Sequence, residues 1–303
     1  MYNDLISVVV TTYRRNYDKI EPTIISAFNQ TYRNIELILV DDNSFGNDFQ
    51  KEIAAGIQTL KRKYSIQYIP NTKNRGAQFS RNQGILTSKG NYIAFLDDDD
   101  LWEPEKIEKQ IMLFDDIHVG LVYCKGWLVS SNEDEVIPYN MSENFCDRLD
   151  FNDLSYGDYI GTTSQVMIRK EVFAACGLFD LNQPARQDYE MWIRISQKYD
   201  CVGVKQYLFK HVKHEGEQIT KNPLKAAVGM ENIYHKYRKQ SSFTAKWHIS
   251  LLTAKAYRKA SSLKKAAKYA LHSIFYFLVA VIVDFKELNK RFNMHNARKI
   301  SGG

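Results

Sequence analysis

Apolar, β-branched runs alternate with helix-like stretches through the first half of the chain, and this order restricts the possible folds more than any other feature. Strands are predicted at residues 5–11, 35–40, 65–69 and 92–96, and helices at 17–29, 48–63, 76–88 and 104–114. Such alternation predicts an α/β fold, a Rossmann-like and mostly parallel sheet flanked by helices. Beyond residue 116 the pattern weakens, and from residue 222 onward it is helical.

Three of the predicted strands end in polar clusters. These clusters are Thr11 to Tyr13, Asp41 to Ser44 and Asp97 to Asp100. In open α/β sheets, ligands bind outside the carboxyl ends of the strands. We therefore expect three separate strands to direct polar groups into one ligand site.

The third cluster is a run of four aspartates. Carboxylates this close stay ionised only beside a compensating cation, either a basic side chain or a bound metal. In an extended chain Asp97 and Asp99 would point to the same side, and such hard oxygen ligands suit Mn²⁺ or Mg²⁺ bound to a diphosphate. The alternative is a solvated acidic loop that caps the helix predicted near Pro104.

Neither a GxxxxGK[ST] loop nor a GxGxxG turn occurs in the sequence. The backbone devices that usually hold nucleotide phosphates are therefore missing, and a metal would have to replace them.

The four cysteines are widely separated and form no CxxC pair. This spacing argues against a zinc knuckle, a thioredoxin-type site or a dense disulfide framework, and it fits a reducing cytoplasm. The N-terminal residues lack a basic leader, so we expect no cleavable signal peptide and a cytoplasmic location.

The net charge of +6 is unevenly distributed, because Lys and Arg dominate after Lys221. No RNA- or DNA-reading motif accompanies this basic part, so we expect an anionic membrane surface as its partner and no nucleic acid. The apolar run 274–283 is well short of the roughly twenty residues of a membrane span, which favours an interfacial helix. The alternative is a buried helix in the core or in a homo-oligomer.

Six sequence blocks, in this order, resemble the inverting family 2 glycosyltransferases of GT-A fold, of the type that assembles bacterial polysaccharides or lipid-linked oligosaccharides. The blocks are Ser7 to Tyr13, Val40 to Ser44, Asn74 to Gly76, Arg81 to Gly84, Phe95 to Asp100 and Gln187 to Trp192. The resemblance covers residues 5–216. It implies a GT-A domain over 1–220, with a nucleotide-binding half at 1–115 and an acceptor half at 116–220, followed by a helical, basic module at 221–303.

The resemblance implies roles for four residues around the nucleotide. Thr11 and Tyr13 would flank a uracil or thymine base, Asp42 would accept a hydrogen bond from the base imide, and Arg81 would lie near the nucleotide. Three of these residues also have a structural alternative: packing for Tyr13, a turn or helix cap for Asp42, and a solvated helix face for Arg81.

The aspartate run matches the DXD block of the family. This match implies that Asp97 lies near the ribose, that Asp98 assists, and that Asp99 is the metal ligand. Because four aspartates are consecutive, Asp100 competes with Asp99 for the metal.

A late histidine is used near the metal or the diphosphate in many GT-A enzymes. His214 is our candidate for this role, with His211 as the second choice.

Asp188 matches the catalytic base of the family, although Gln187 precedes it where many members have Glu. The structural alternative for Asp188 is a helix N-cap. A carboxylate at a helix N-terminus stays ionised, as a proton acceptor must.

The implied reaction is a metal-dependent, inverting transfer of a sugar from a nucleotide-diphosphate sugar, most simply a UDP-sugar. The acceptor would be a hydroxyl of a saccharide or of a lipid-linked saccharide, reached from the inner face of the cell membrane. Two alternatives are a nucleotidyltransferase, which also needs clustered carboxylates and a metal, and a non-catalytic sugar- or membrane-binding protein that has kept the fold.

Overall fold

A computed structural model describes residues 3–130, 135–139, 145–213 and 222–291. The chain divides into two compact units that interleave along the sequence. The first, the sheet unit, comprises Met1–Arg148, Ile160–Leu181 and Lys198–His214. The second, the helical unit, comprises Leu149–Tyr159, Asn182–Gln197 and Glu215–Gly303.

The described strands form one sheet of ten. They are β1 (Ile6–Thr12), β2 (Ile35–Asp41), β3 (Ile66–Pro70), β4 (Tyr92–Asp97), β5 (Asp100–Trp102), β6 (Val119–Ser130), β7 (Val136–Pro138), β8 (Arg148–Leu149), β9 (Met167–Arg169) and β10 (Asp200–Lys213). Their order is β3-β2-β1-β4-β9-β6-β10-β5, with β7 paired to β6 and β8 paired to β10.

The parallel pairs are β1 with β2, β1 with β4, β2 with β3, and β6 with β10. Strand β9 runs antiparallel between β4 and β6, and β5 runs antiparallel to β10. In this register Thr11 lies opposite Val40 on one side and Asp97 on the other. The carboxyl ends of β1, β2 and β4 are therefore level. The predicted α/β fold, with a central sheet flanked by helices, is confirmed; the sheet is parallel from β3 to β4 and mixed beyond β4.

The helices are α1 (Tyr17–Phe28), α2 (Asp48–Leu60), α3 (Ala77–Thr87), α4 (Lys106–Ile111), α5 (Phe151–Tyr156), α6 (Lys170–Cys176), α7 (Gln187–Ser196), α8 (Pro223–Tyr237), α9 (Phe243–Lys259) and α10 (Leu263–Val283). The apolar side chains at the centre of the sheet are buried on both faces, as Val8, Val9 and Val10 of β1 illustrate. Burial on both faces explains why these strands read as continuous apolar runs rather than as alternating ones.

The secondary structure differs from the sequence-based expectations in three places. The sequence predicts separate strands at 119–124 and 127–138, but residues 119–130 form one strand, since Gly126 continues β6 and a Cβ there would lie 1.8 Å from the ring of Phe209. Strand β10 was not predicted, and its pairing with β6 contains three register shifts. The aspartate run is not extended, because β4 ends at Asp97, a turn holds the next two residues, and β5 begins at Asp100.

The helical unit joins three separate stretches of the chain, two of which precede residue 200. Glu190 of α7 shows why. Its buried carboxylate accepts hydrogen bonds from Lys236 Nζ (2.7 Å) and Tyr237 Oη (2.6 Å) of α8, besides its ion pair with Arg194. Segments that precede residue 200 thus pack with the C-terminal helices.

Helix α10 is longer than the apolar run at 274–283, because it begins at Leu263 and has 21 residues. Among the described residues it alone is long and apolar enough to cross a membrane, with a mean hydropathy of 1.8. This criterion concerns length and composition only, and some core helices of soluble proteins also meet it. Only 17% of the apolar stretch is buried.

Candidate functional site

Asp97, the last residue of β4, is held by side chains from two directions. Arg81 of α3 donates from Nη2 to its Oδ1 at 2.7 Å, and the hydroxyls of Thr162 and Thr163 donate at 3.1 Å each. The Asp97 amide donates to Ser164 Oγ at 3.0 Å. Burial alone would raise the pKa of Asp97, but Arg81 and the two hydroxyls outweigh it and hold the pKa below its ordinary value.

Asp98 and Asp99 share one guanidinium, that of Arg15. Its Nε lies 3.0 Å from Asp98 Oδ1, and its Nη2 lies 2.9 Å from Asp99 Oδ2. Burial raises the pKa of Asp98 to about 7, and Arg15 offsets only part of that effect. The side chain of Asp99 is 24% exposed, so it is open to solvent while Asp98 is nearly buried.

Asp100 lies deeper than its three neighbours. Its side chain is fully buried, and its Oδ1 is 2.8 Å from Nδ1 of His211 on β10. Burial raises the pKa of Asp100 to about 6 despite the histidine. Burial lowers the pKa of His211, whereas the neighbouring carboxylate of Asp100 raises it. The net result is a pKa above the ordinary value of histidine.

The four carboxylates are therefore paired with three basic side chains, Arg15, Arg81 and His211. Of the two compensating cations that the sequence left open, a basic side chain or a bound metal, these contacts are the first kind. Among the described residues, no group of three or more His, Cys, Asp or Glu side chains is arranged to hold a metal. However, oxygens of Asp98 and Asp99 converge on one cationic group. Two such oxygens fit a Mg²⁺-type ion, which commonly takes one or two carboxylates and fills its shell with substrate phosphates and water.

His214, the predicted histidine near the metal, lies outside the described residues.

Asp42, just after β2, organises the loop that leads into α3. Its Oδ1 accepts from Asn71 Nδ2 (2.8 Å) and from the Arg75 amide (2.9 Å), and its Oδ2 accepts from the Gly76 amide (2.8 Å). Gly76 has φ +90°, a conformation that glycine adopts without strain. Asp42 thus fixes this loop from a buried position beside the carboxyl end of β2.

Thr11 and Tyr13 lie at the end of β1. Tyr13 is 38% exposed, and the guanidinium of Arg14 lies 5.1 Å from its ring centroid. Arg14 itself has φ +52°, and its amide donates to Asn43 Oδ1 at 3.0 Å. A left-handed, non-glycine residue is strained, and here it turns the chain between Tyr13 and Arg15.

Asp188 belongs to the helical unit, as the second residue of α7. It is not the N-cap, as one structural alternative had it, because Arg186 occupies that position with φ +58° and no side-chain cap. Oδ1 of Asp188 accepts from the amide of Tyr189 at 2.8 Å. The side chain is partly exposed, and it lies in the first turn, where a helix stabilises negative charge.

Sequence reasoning missed two groups of residues that shape this site. Arg15 compensates two of the aspartates, and Thr162 to Ser164 bind Asp97. The sequence offered two signals, the pair Arg14 and Arg15 shortly after β1 and the polar run 162–165 before β9. Neither segment shows the periodicity of a helix or a strand.

Comparison with known proteins identifies similar bacterial glycosyltransferases. The chain is 29% identical over 247 residues to the putative colanic acid biosynthesis glycosyl transferase WcaA of Escherichia coli K12, covering 78% of this chain and 81% of that one. It is 29% identical over 197 residues to the UDP-Glc:alpha-D-GlcNAc-diphosphoundecaprenol beta-1,3-glucosyltransferase WfaP of Escherichia coli, covering 64% and 71%.

A solved structure shows the same fold. The mannosyltransferase PcManGT from Pyrobaculum calidifontis, in complex with GDP-Man and Mn²⁺, has a TM-score of 0.63 at 17% identity, covering 98% of this chain and 85% of that one. The expected GT-A fold is thereby confirmed. The model of the family described as "Glycosyl transferase family 2" matches residues 7–177, more than half of the sequence. The chain therefore belongs to glycosyl transferase family 2.

Proposed function

We propose that the protein transfers a sugar from a UDP-sugar to an acceptor hydroxyl, with inversion at the anomeric carbon and with a divalent metal. The observation that carries the proposal is that Asp42, Asp97 and Asp99 all lie at the carboxyl ends of β2 and β4, the two strands that flank β1 in the sheet unit. Ligands of open α/β sheets bind at this edge. The UDP preference is supported by WfaP, whose name gives UDP-Glc as its donor.

Four residues would position the nucleotide. Thr11 and the exposed ring of Tyr13 would flank the base. Asp42 would accept a hydrogen bond from the base imide, since its Oδ2 accepts one hydrogen bond among the described residues and an ionised oxygen can accept more than one. Arg81 holds Asp97 in place, and Asp97 would bind the ribose. An ionised Asp97 accepts hydrogen bonds only, which suits the hydroxyls of a ribose.

The metal position is best supplied by Asp99, with Asp98 assisting. Asp99 is partly exposed, whereas Asp100 is fully buried against His211, so the burial of the two side chains favours Asp99. His214 would be a further ligand of the metal. A bound Mn²⁺ or Mg²⁺ would neutralise charge on the diphosphate as it leaves. The guanidinium of Arg15 contacts the same carboxylates and would have to move aside for an ion to bind there.

Asp188 would act as the base. It would take the proton of the acceptor hydroxyl while the hydroxyl oxygen attacks the anomeric carbon and the bond from that carbon to the diphosphate oxygen breaks. The products are the glycoside and the nucleoside diphosphate. A carboxylate in the first turn of α7 is stabilised in the ionised state that this role requires.

A lipid-linked saccharide is the acceptor that we favour. The name of WfaP specifies a diphosphoundecaprenol acceptor, which is anchored in a membrane. A transferase for such an acceptor would work peripherally at the inner face of the cell membrane. The stretch from Asn140 to Gly161 would contribute to acceptor choice, in line with the predicted acceptor half.

The decisive experiment is a screen of UDP-, dTDP- and GDP-sugars with the purified chain and Mn²⁺, in which the released product is identified. Nucleoside diphosphate release, dependent on the metal and on a saccharide acceptor, would support the proposal. Release of pyrophosphate would instead indicate a nucleotidyltransferase. Absence of measurable affinity for every nucleotide diphosphate would indicate a non-catalytic protein that has kept the fold.

A further inference from the structure

Helix α10 has one face that packs within the helical unit. Tyr269, Ser273 and Ala280 are buried, and their spacing of four and seven residues places them on one side of the helix. The Tyr269 hydroxyl donates to Glu231 Oε1 of α8 at 2.7 Å. Its neighbour on the same helix, His272, has Nδ1 3.2 Å from Tyr234 Oη of α8. This side of α10 is therefore tied to α8 by polar contacts.

The opposite face of α10 is apolar and exposed. It consists of Leu271 (67% exposed), Ile274 (59%), Phe275 (59%), Leu278 (59%) and Ile282 (82%). At roughly 100° per residue these positions form one stripe, turned about 180° from the buried residues. We name this set the apolar stripe. Large contiguous apolar patches on a soluble surface usually mark an interaction site.

The surroundings of the apolar stripe are basic. Helix α10 contains no acidic residue, while Lys264 and Lys268 are exposed in its first two turns, and Lys286 and Lys290 are exposed beyond its C-terminal end. From residue 222 to the end the sequence has sixteen Lys and Arg against three Asp and Glu. An apolar stripe framed by lysines is complementary to a surface that is apolar inside and anionic at its rim.

We propose that α10 lies in the plane of an anionic lipid surface, with the apolar stripe in the headgroup and acyl boundary and the lysines at the lipid phosphates. A second copy of the chain is a poorer partner, because it would bring the same positive charge against itself. A crossing orientation is also disfavoured, since it would place the groups that bind Glu231 and Tyr234 in hydrocarbon without those partners.

This inference deepens the membrane location in the proposed function, and it can be tested without any sugar transfer. The full chain is incubated with phosphatidylcholine vesicles that do or do not contain phosphatidylglycerol, and bound protein is measured by sedimentation. We expect binding to the anionic vesicles, and weaker binding to the neutral ones and at high salt.

Two matched triple variants test the face itself. The variant Ile274→Ser/Leu278→Ser/Ile282→Ser removes the centre of the apolar stripe, and we expect it to bind anionic vesicles about tenfold or more weakly. Leu86→Ser/Met112→Ser/Ile117→Ser removes three exposed apolar side chains of the sheet unit, and its binding should match the wild type. Circular dichroism and nucleotide affinity should be unchanged in both, which separates this result from a failure of the transferase assignment.

Other outcomes would overturn the inference. The lipid surface would be rejected as the partner if the wild-type protein bound neither kind of vesicle. It would also be rejected if the stripe variant bound anionic vesicles as well as its control does. If sedimentation equilibrium showed that the wild type is a dimer and the stripe variant a monomer, the partner of the apolar stripe would be a second copy of the chain instead of lipid. Bound protein that resists extraction at alkaline pH and is cleaved by protease from both sides of the vesicle would replace the in-plane arrangement by a crossing one.

Discussion

The guanidinium of Arg15 lies 2.9 Å from a carboxylate oxygen of Asp99, the residue that we assign to the metal. An arginine and a divalent ion cannot occupy the same side of one carboxylate, so under our proposal Arg15 would compete with the ion. We expect Arg15→Ala to bind Mn²⁺ alone about fivefold to tenfold more tightly than the wild type, since a nearby positive charge is removed. Electron paramagnetic resonance of unbound Mn²⁺, without nucleotide, measures this.

Arg15→Lys should give an intermediate affinity for Mn²⁺, and Arg62→Ala, at an exposed arginine elsewhere, should leave it unchanged. Weaker Mn²⁺ binding by Arg15→Ala would show that the guanidinium supports the metal position instead of competing for it.

Asp99 and Asp100 should differ in what their removal costs. Asp99→Asn should lose the Mn²⁺-dependent part of the affinity for UDP while keeping its thermal stability, because its side chain is partly exposed. Asp100→Asn should unfold more easily, by about 1–3 kcal/mol, because it alters a buried, hydrogen-bonded group. Calorimetric titration with and without Mn²⁺ and thermal unfolding measure the two effects. The reverse pattern would move the metal to Asp100.

Asp188→Asn should bind the nucleotide sugar as the wild type does and transfer it about 10²- to 10⁴-fold more slowly, the usual contribution of a general base. Single-turnover rates and donor affinity should be measured on the same preparation. Asp48→Asn, which alters an exposed aspartate in the first turn of α2, is the matched control. Ordinary turnover by Asp188→Asn would reject the base assignment.

Glu231 should make the helical unit sensitive to acid. Burial alone would raise its pKa, but the hydroxyls of Tyr257 and Tyr269 and the ammonium of Lys265 lower it from 4.5 to about 2. A carboxylate with a depressed folded-state pKa stabilises the fold above its unfolded pKa, and this stabilisation is lost as the pH falls from about 4.5 towards 2.

We therefore expect Glu231→Gln to lower the free energy of unfolding by about 1–3 kcal/mol at pH 7, the cost of altering a charged hydrogen-bond acceptor. The difference from the wild type should shrink as the pH falls below about 4.5. Denaturant unfolding at several pH values measures it, with Glu171→Gln at an exposed site as control. A difference that is constant between pH 7 and pH 2 would show that the charge of Glu231 is not responsible.

The sheet and its polar edge could be predicted from the sequence because their signals are local. Strands β1, β2 and β4 each contain at least three consecutive apolar residues, and polar residues begin where each run ends, as at Leu96 and Asp97. Strand β10 could not be predicted in this way, since Lys205, Gln206 and Lys210 interrupt its apolar residues and its register shifts against β6.

The ion pairs of the site depend on contacts between distant segments. Arg15 and Asp99 are 84 positions apart, and nothing in either neighbourhood indicates the other. Asp98 and Asp99 lie in a turn, so the alternation of side chains along a strand could not place them correctly, because that alternation requires an extended chain.

The interleaving of the two units affects how the chain folds during synthesis. Glu190 leaves the ribosome before Lys236 and Tyr237, the partners that neutralise and cover its carboxylate in the finished molecule. Until some fifty further residues have been added, the carboxylate of Glu190 has Arg194 of its own helix as partner but lacks the two groups of α8 that complete its burial. Nascent chains that stop near residue 220 would keep α7 solvated, and the segment that carries Asp188 would settle only after translation has passed α8.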